Sequence, residues 1–182
     1  MLTTQASRCR ESRRYAEGMR DEVDRLVAAW RRERPDLDVD PMEVLSRVSR
    51  LSRHLDLARR EAFADQSLDG WEFDVLSALR RAGAPYQLSP GQLLRETLVT
   101  SGTMTNRIDR LAARGFVERL PDPLDRRGVQ VRLTDEGRAT VDAALDALLA
   151  RERELLASLG DDDARRLASL LRGLLLPFDA PS

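Results

Sequence analysis

Apolar residues recur along most of this chain at the three- and four-residue spacing of a helix with one buried face. In 21–34, Val23, Leu26, Val27 and Trp30 fall on one side, and Pro35 ends the run. After the linker PDLDVDP, Asp40-Pro41 opens a longer helix, with Asp as N-cap and Pro in the first turn. Its stripe of Val44, Leu45, Val48, Leu51, Leu55 and Leu57 predicts a helix to about Ala64. A third helix begins near Asp69 (DGWEFDVLSALRRAG) and closes at Gly83, with Pro85 just beyond.

Two short helices follow. Ser89-Pro90 starts the first, with Leu93, Leu94 and Leu98 on its inner side. Thr100-Ser101 caps the second, whose inner stripe is Met104, Ile108, Leu111 and Ala112 and whose end is Gly115. The period then changes to two. FVERL and VQVRL alternate apolar with charged or polar positions, and PDPLDRRG between them has the chemistry of a loop. This is a β-hairpin wing. From Thr134 the helical period returns, through Val141, Leu145, Leu148, Leu149, Leu155, Leu156 and Leu159. A last helix capped by Asp161 carries Leu167, Leu170, Leu171, Leu174 and Leu175.

The predicted fold class is mainly α with a small β-hairpin wing: a winged helix-turn-helix with N- and C-terminal dimerisation helices. The expected organisation is a basic, flexible extension over 1–20 and N-terminal helices for dimerisation and a ligand pocket over 21–68. A winged helix-turn-helix DNA-binding domain follows over 69–133, then C-terminal dimerisation helices over 134–176 and a tail over 177–182. Apolar stripes at both ends of the chain require burial, which a second copy supplies through a symmetric interface.

Charge sharpens this picture. The 182 residues carry a net charge of −1, which by itself argues against a nucleic-acid binder. Residues 89–133, however, hold eight Arg against five acids, a net of +3, and the remainder is net −4. A basic patch on an acidic body suits contact with phosphate along one edge. Cys9 and His54 are each alone, so the chain has no intrachain disulfide, no zinc ligand set and no histidine-based triad. With no glycine-rich phosphate loop either, no catalytic residue, metal or cofactor is expected, and the chain does not read as an enzyme. No signal peptide and no membrane-spanning apolar run is evident, which points to the cytoplasm.

With Met104, Ile108 and Leu111 turned inward, the outer face of the second short helix is Thr103, Asn106, Arg107 and Arg110. Asn reads adenine and Arg reads guanine through paired hydrogen bonds in the major groove. Ser101 and Thr105, near the helix start, are placed for phosphate. Arg126 and Arg127 at the wing tip suit the minor groove. The competing reading is a helical dimer or partner-binding adaptor that has kept the winged helix without DNA binding. It predicts an acidic or apolar recognition face, and the face here is Thr, Asn and Arg.

The strings EFDVLSALRRAG (72–83) and SGTMTNRIDRLAARGFVERLPDPLDRRGVQVRLTDEG (101–137), with the leucine-rich tail, resemble the MarR family of bacterial regulators. The resemblance covers roughly residues 21–176. It implies a homodimer that binds a pseudo-palindromic double-stranded operator, acts as a repressor, and releases DNA on binding a small-molecule effector. The spacing of Trp30, Asp74 and Arg119 is similar to the urate-responsive, PecS-like branch, which implies that these three bind an anionic aromatic ligand and that Arg107 links them to DNA. The plainer alternative is that Trp30 packs in the dimer interface and Asp74 pairs with Arg119.

Overall fold

The computed structural model describes residues 20–97, 100–123 and 128–179. Among the described residues, seven helices and three strands run in the order α1 (Glu22–Glu33), α2 (Asp40–Ala64), α3 (Gly70–Arg81), β1 (Gln87–Leu88), α4 (Pro90–Thr97), α5 (Ser101–Ala113), β2 (Val117–Pro121), β3 (Val129–Leu133), α6 (Asp135–Leu156) and α7 (Asp161–Asp179). The mainly helical class with a small antiparallel wing is as expected. The addition is β1, whose two residues are too few to show alternation in sequence. It completes a three-stranded sheet of order β1-β3-β2. Val117 faces Leu133, Arg119 faces Val131, and Gln87 faces Arg132.

Two compact units emerge. Among the described residues, one comprises those up to Leu55 and from Glu152 onward; the other comprises those from Asp56 to Arg151. In the terminal unit, α1 starts with a reciprocal cap. Asp24 N–H donates to the Asp21 carboxylate at 3.0 Å, and Asp21 N–H donates to that of Asp24 at 2.7 Å. Val23, Val27 and Val39 form its small buried cluster, with Met42 against it. Arg47 bridges Asp21 and Asp24 at 2.8 Å each, and Arg31 bridges Asp40 and Glu43 at 2.7 Å each. The Arg47 guanidinium and the Asp24 N–H hold the Asp21 carboxyl down at about 2.

The central unit has the substantial core. Phe63, Leu76, Leu79, Leu93, Met104, Ile108, Leu111 and Val131 are fully buried there. Phe63 on α2 stacks on Phe73 of α3, ring centroids 4.4 Å apart, which fastens the C-terminal end of α2 to α3. The start of α4 is sealed by Ser89 and Gln92, each donating its backbone N–H to the other's side chain.

The junction between α5, β2 and α6 is tightly pinned. Gly115 leaves α5 at φ +76°, a conformation that favours glycine. Thr134 N–H donates to the Phe116 carbonyl at 3.1 Å and its hydroxyl to the Gly115 carbonyl at 2.7 Å, while that hydroxyl oxygen accepts from Gly137 N–H at 3.0 Å. A Cβ at position 137 would collide with the Phe116 carbonyl, so only glycine permits this approach. Among the described residues, no helix is long and apolar enough to cross a membrane.

Candidate nucleic-acid interface

Helix α5 is two-faced because its sequence is. Met104, Ile108 and Leu111 are buried, which anchors the helix to the core. Ser101, Thr103, Thr105, Asn106 and Arg110 are exposed, and Arg107 is half-buried. Thr100 stands at the N-cap, its hydroxyl 2.9 Å from that of Thr103. The Thr105 hydroxyl donates to the Ser101 carbonyl at 3.3 Å. An apolar side holding the helix and a polar, net-cationic side facing outward is what a major-groove reader requires. Arg126 and Arg127, expected at the wing tip, lie outside the described residues, as does Cys9.

The orientation of α5 is fixed from α3 by a contact that sequence reasoning missed. Glu72 is only 1% exposed, yet it is charged. Its carboxylate accepts from the Asp69 backbone N–H at 2.8 Å, closing the first turn of α3, and pairs with Arg114 at 2.6 Å. Arg114 is the C-cap residue of α5 and also lies over the Phe116 ring, 4.6 Å from its centroid. A buried charge must be paired to be tolerated, so the start of α3 and the end of α5 are tied together. The only hint in sequence was Glu at the third position after Asp69, which reads simply as a helix start.

Trp71 was also missed. Its ring lies beneath two arginines of α5: Arg110 at 4.7 Å and Arg107 at 5.3 Å from the centroid. Its indole N–H donates to the Asp69 carboxylate at 3.1 Å, and the same oxygen lies 3.7 Å from Arg110. Each cation–π contact at such an exposed position contributes about 0.5–1 kcal/mol.

The three residues expected to bind an effector fall as follows. Trp30 belongs to the terminal unit and is 45% exposed. Asp74 and Arg119 belong to the central unit, where both are exposed. The alternative pairing of Asp74 with Arg119 is not what forms. Asp74 accepts from Arg59 of α2 at 2.6 Å, and Arg119 pairs with Asp109 of α5 at 2.6 Å. The reason is local. Arg59 lies over both rings of the Phe63–Phe73 stack, within reach of α3, and β2 follows α5 so closely that Asp109 reaches Arg119 first.

A helix-turn-helix with an adjoining antiparallel wing and an outward polar, arginine-bearing helix defines the winged helix-turn-helix class of transcriptional regulators. Comparison with known proteins agrees. Residues 66–128 match the MarR family model. The chain is 41% identical over 150 residues to the HTH-type transcriptional regulator PecS of Dickeya dadantii, covering 82% of this chain and 90% of that protein. Among solved structures, a cysteine-to-serine mutant of Escherichia coli MarR complexed with operator DNA superposes with a TM-score of 0.64 at 30% identity, covering 76% of this chain and 99% of that one. Bordetella bronchiseptica BpsR, whose DNA binding is regulated by 6-hydroxynicotinic acid, gives 0.63 at 28% identity, over 76% and 94%. This chain belongs to the MarR family, and it is a transcriptional regulator rather than an enzyme.

Proposed function

We propose that the protein acts as a homodimeric, cytoplasmic repressor that binds a pseudo-palindromic operator through α5 and its wing and leaves it when a small effector binds. The observation that carries the DNA role is the outer face of α5, where Thr103, Asn106, Arg107 and Arg110 stand opposite a sealed apolar face. In this reading Asn106 and Arg107 read bases, Ser101 and Thr105 meet phosphate, and Arg126 and Arg127 reach the minor groove. The operator-bound relative supports the DNA-binding role. A dimer accounts for the leucines left exposed on the terminal helices and presents two copies of α5 to half-sites about 34 Å apart.

The effector assignment rests on sequence resemblance and on the regulation of BpsR by an aromatic acid. Trp30 offers a ring face, Arg119 a charged hydrogen-bond fork, and Asp74 a carboxylate that an incoming anion repels. Asp74 and Arg119 already hold Arg59 and Asp109, so an anion that takes Arg119 frees Asp109 on α5. Such a ligand weakens DNA binding only by its differential affinity for the two states, typically about 1–3 kcal/mol of coupling.

Anisotropy titration on the protein's own promoter tests the DNA role. Asn106→Ala or Arg107→Ala should each lose about 1–3 kcal/mol of discrimination at the base that residue reads. Unchanged affinity and discrimination in both would rule out α5 as the reader. For the effector, Trp30→Phe and Asp74→Asn should require more aromatic acid to release DNA, and equal release by the parent and both variants would refute the assignment.

A further inference from the structure

Helix α5 offers Arg107 and Arg110 to solvent, and free arginines in water sample many rotamers. These two are not free. Both guanidinium groups lie over the face of Trp71, which belongs to α3, outside the reading helix. Arg107 has no carboxylate partner among the described residues, so the ring is its identified anchor. Arg110 is held twice, by the ring and by Asp69 at 3.7 Å. The ring is oriented in turn by its N–H bond to that same Asp69 carboxylate.

Trp71 is half-buried at the edge of the central core: part of its surface packs against that core, and it also borders an open cleft of about 510 Å³ lined by Phe63, Leu68, Arg59 and Arg60. Its ring also carries a pair of cations that the adjacent helix presents outward.

We propose that Trp71, braced by Asp69, is a positioning residue for DNA readout: its ring holds Arg107 and Arg110 in the poses from which they meet the operator, so operator selectivity is set partly from outside the recognition helix. This deepens the DNA-reading role proposed for α5 and rests on it. Side chains ordered before binding lose less freedom when bound, so the clamp favours the cognate site. Non-specific binding, which depends on charge reaching phosphate in any geometry, gains little.

The test uses the full-length protein and three kinds of duplex of equal length: the operator, operators carrying single base-pair changes, and an unrelated sequence. Trp71→Leu should weaken operator binding about tenfold, comparable to one lost base contact. Affinity for the unrelated duplex and the salt slope should stay as in the parent. Trp71→Phe keeps a ring face and should restore most of the loss. Asp69→Asn keeps a residue able to cap α3 and one acceptor oxygen but removes the carboxylate charge that braces the ring and Arg110, and should cost about threefold. Should Trp71→Leu unfold early in thermal melts, the Phe and Asn variants carry the test alone. In a double-mutant cycle, Trp71→Leu should cost little once Arg107 and Arg110 are both alanine. Additive losses, or a Trp71→Leu protein with parental or higher discrimination, would overturn the proposal. The two readings fail separately. If Arg107→Ala and Arg110→Ala leave operator affinity unchanged, α5 is not the reader; if they weaken it and Trp71→Leu does not, only the clamp is lost.

Discussion

In the central unit, Phe63, Leu76, Leu79, Leu93, Met104, Ile108 and Leu111 are closed off from water by their own chain. Among the described residues of the terminal unit, burial of hydrophobic side chains is confined to Val23, Val27 and Val39, while Leu45, Leu51, Leu170, Leu174 and Leu175 stand exposed. Helix α7 buries none of its residues. The amphipathic patterns of the two regions look equally strong in sequence, yet only the central one finds its counterpart within one protomer. Beyond that small cluster, α1 and the start of α2 are joined by charge, with Arg31 and Arg47 each bridging two carboxylates, and much of the apolar area of the terminal helices is left for another surface. An apolar stripe thus records that burial is needed, not where it is supplied.

The sharpest way to break this contrast is to remove the same side chain from both regions. Leu79→Ala in the central core should lower stability by about 2–5 kcal/mol in denaturant unfolding, at any protein concentration. Leu170, 61% exposed, should behave differently. Leu170→Asp should shift sedimentation toward the monomer and make the unfolding midpoint depend more steeply on concentration. A Leu170→Asp protein that still sediments as the parent does would show that this stripe is not an interface.

A smaller effect is expected where charge enters the core. Arg114→Met leaves Glu72 buried without its partner and should cost about 3 kcal/mol, at the low end for a buried pair because Arg114 is itself partly exposed. Exchanging both residues for apolar ones of similar size should recover much of that loss. A full loss in the double variant would mean that Glu72 matters chiefly as the N-terminal cap of α3.

The smallest effect lies in the terminal unit. Asp21 is held at about 2, below its ordinary 3.8, by Arg47 and the Asp24 N–H. Because the folded value is the lower one, the stabilisation is complete above about pH 4 and disappears as pH falls through about 2. A carboxyl-carbon NMR titration should place the Asp21 midpoint at about 2. A midpoint near 3.8 would mean that the Arg47 bridge does not persist in solution.

Much of this architecture was legible in the sequence because it follows from local rules. The Asp40-Pro41 start of α2, the inner stripe of α5, the stop at Gly115 and the alternating wing strands each depend on a few neighbouring residues. The missed features depend on distant partners. Strand β1 exists because β3 offers it an edge, with Leu88 beside Val131. Glu72 looks like an ordinary first-turn acid until Arg114, 42 residues away, arrives beside it. Asp74 and Arg119 are singled out by their spacing, but nothing in their own segments points to the partners they take, Arg59 and Asp109. Nothing in the segment around Trp71 points to the arginines of α5 above it.

The junction at Gly115, Phe116, Thr134 and Gly137 acts mechanically as a weld. The end of α5, the start of the wing and the first turn of α6 share hydrogen bonds there, and the backbones touch too closely for any side chain at position 137. A weld transmits motion without absorbing it, so the helix and the wing of one protomer turn together as a single tooth. The pitch between two such teeth is then a property of the pair alone. In the proposed dimer, an effector that alters DNA fit does so by re-aiming whole reading heads, and the shape of each head stays constant.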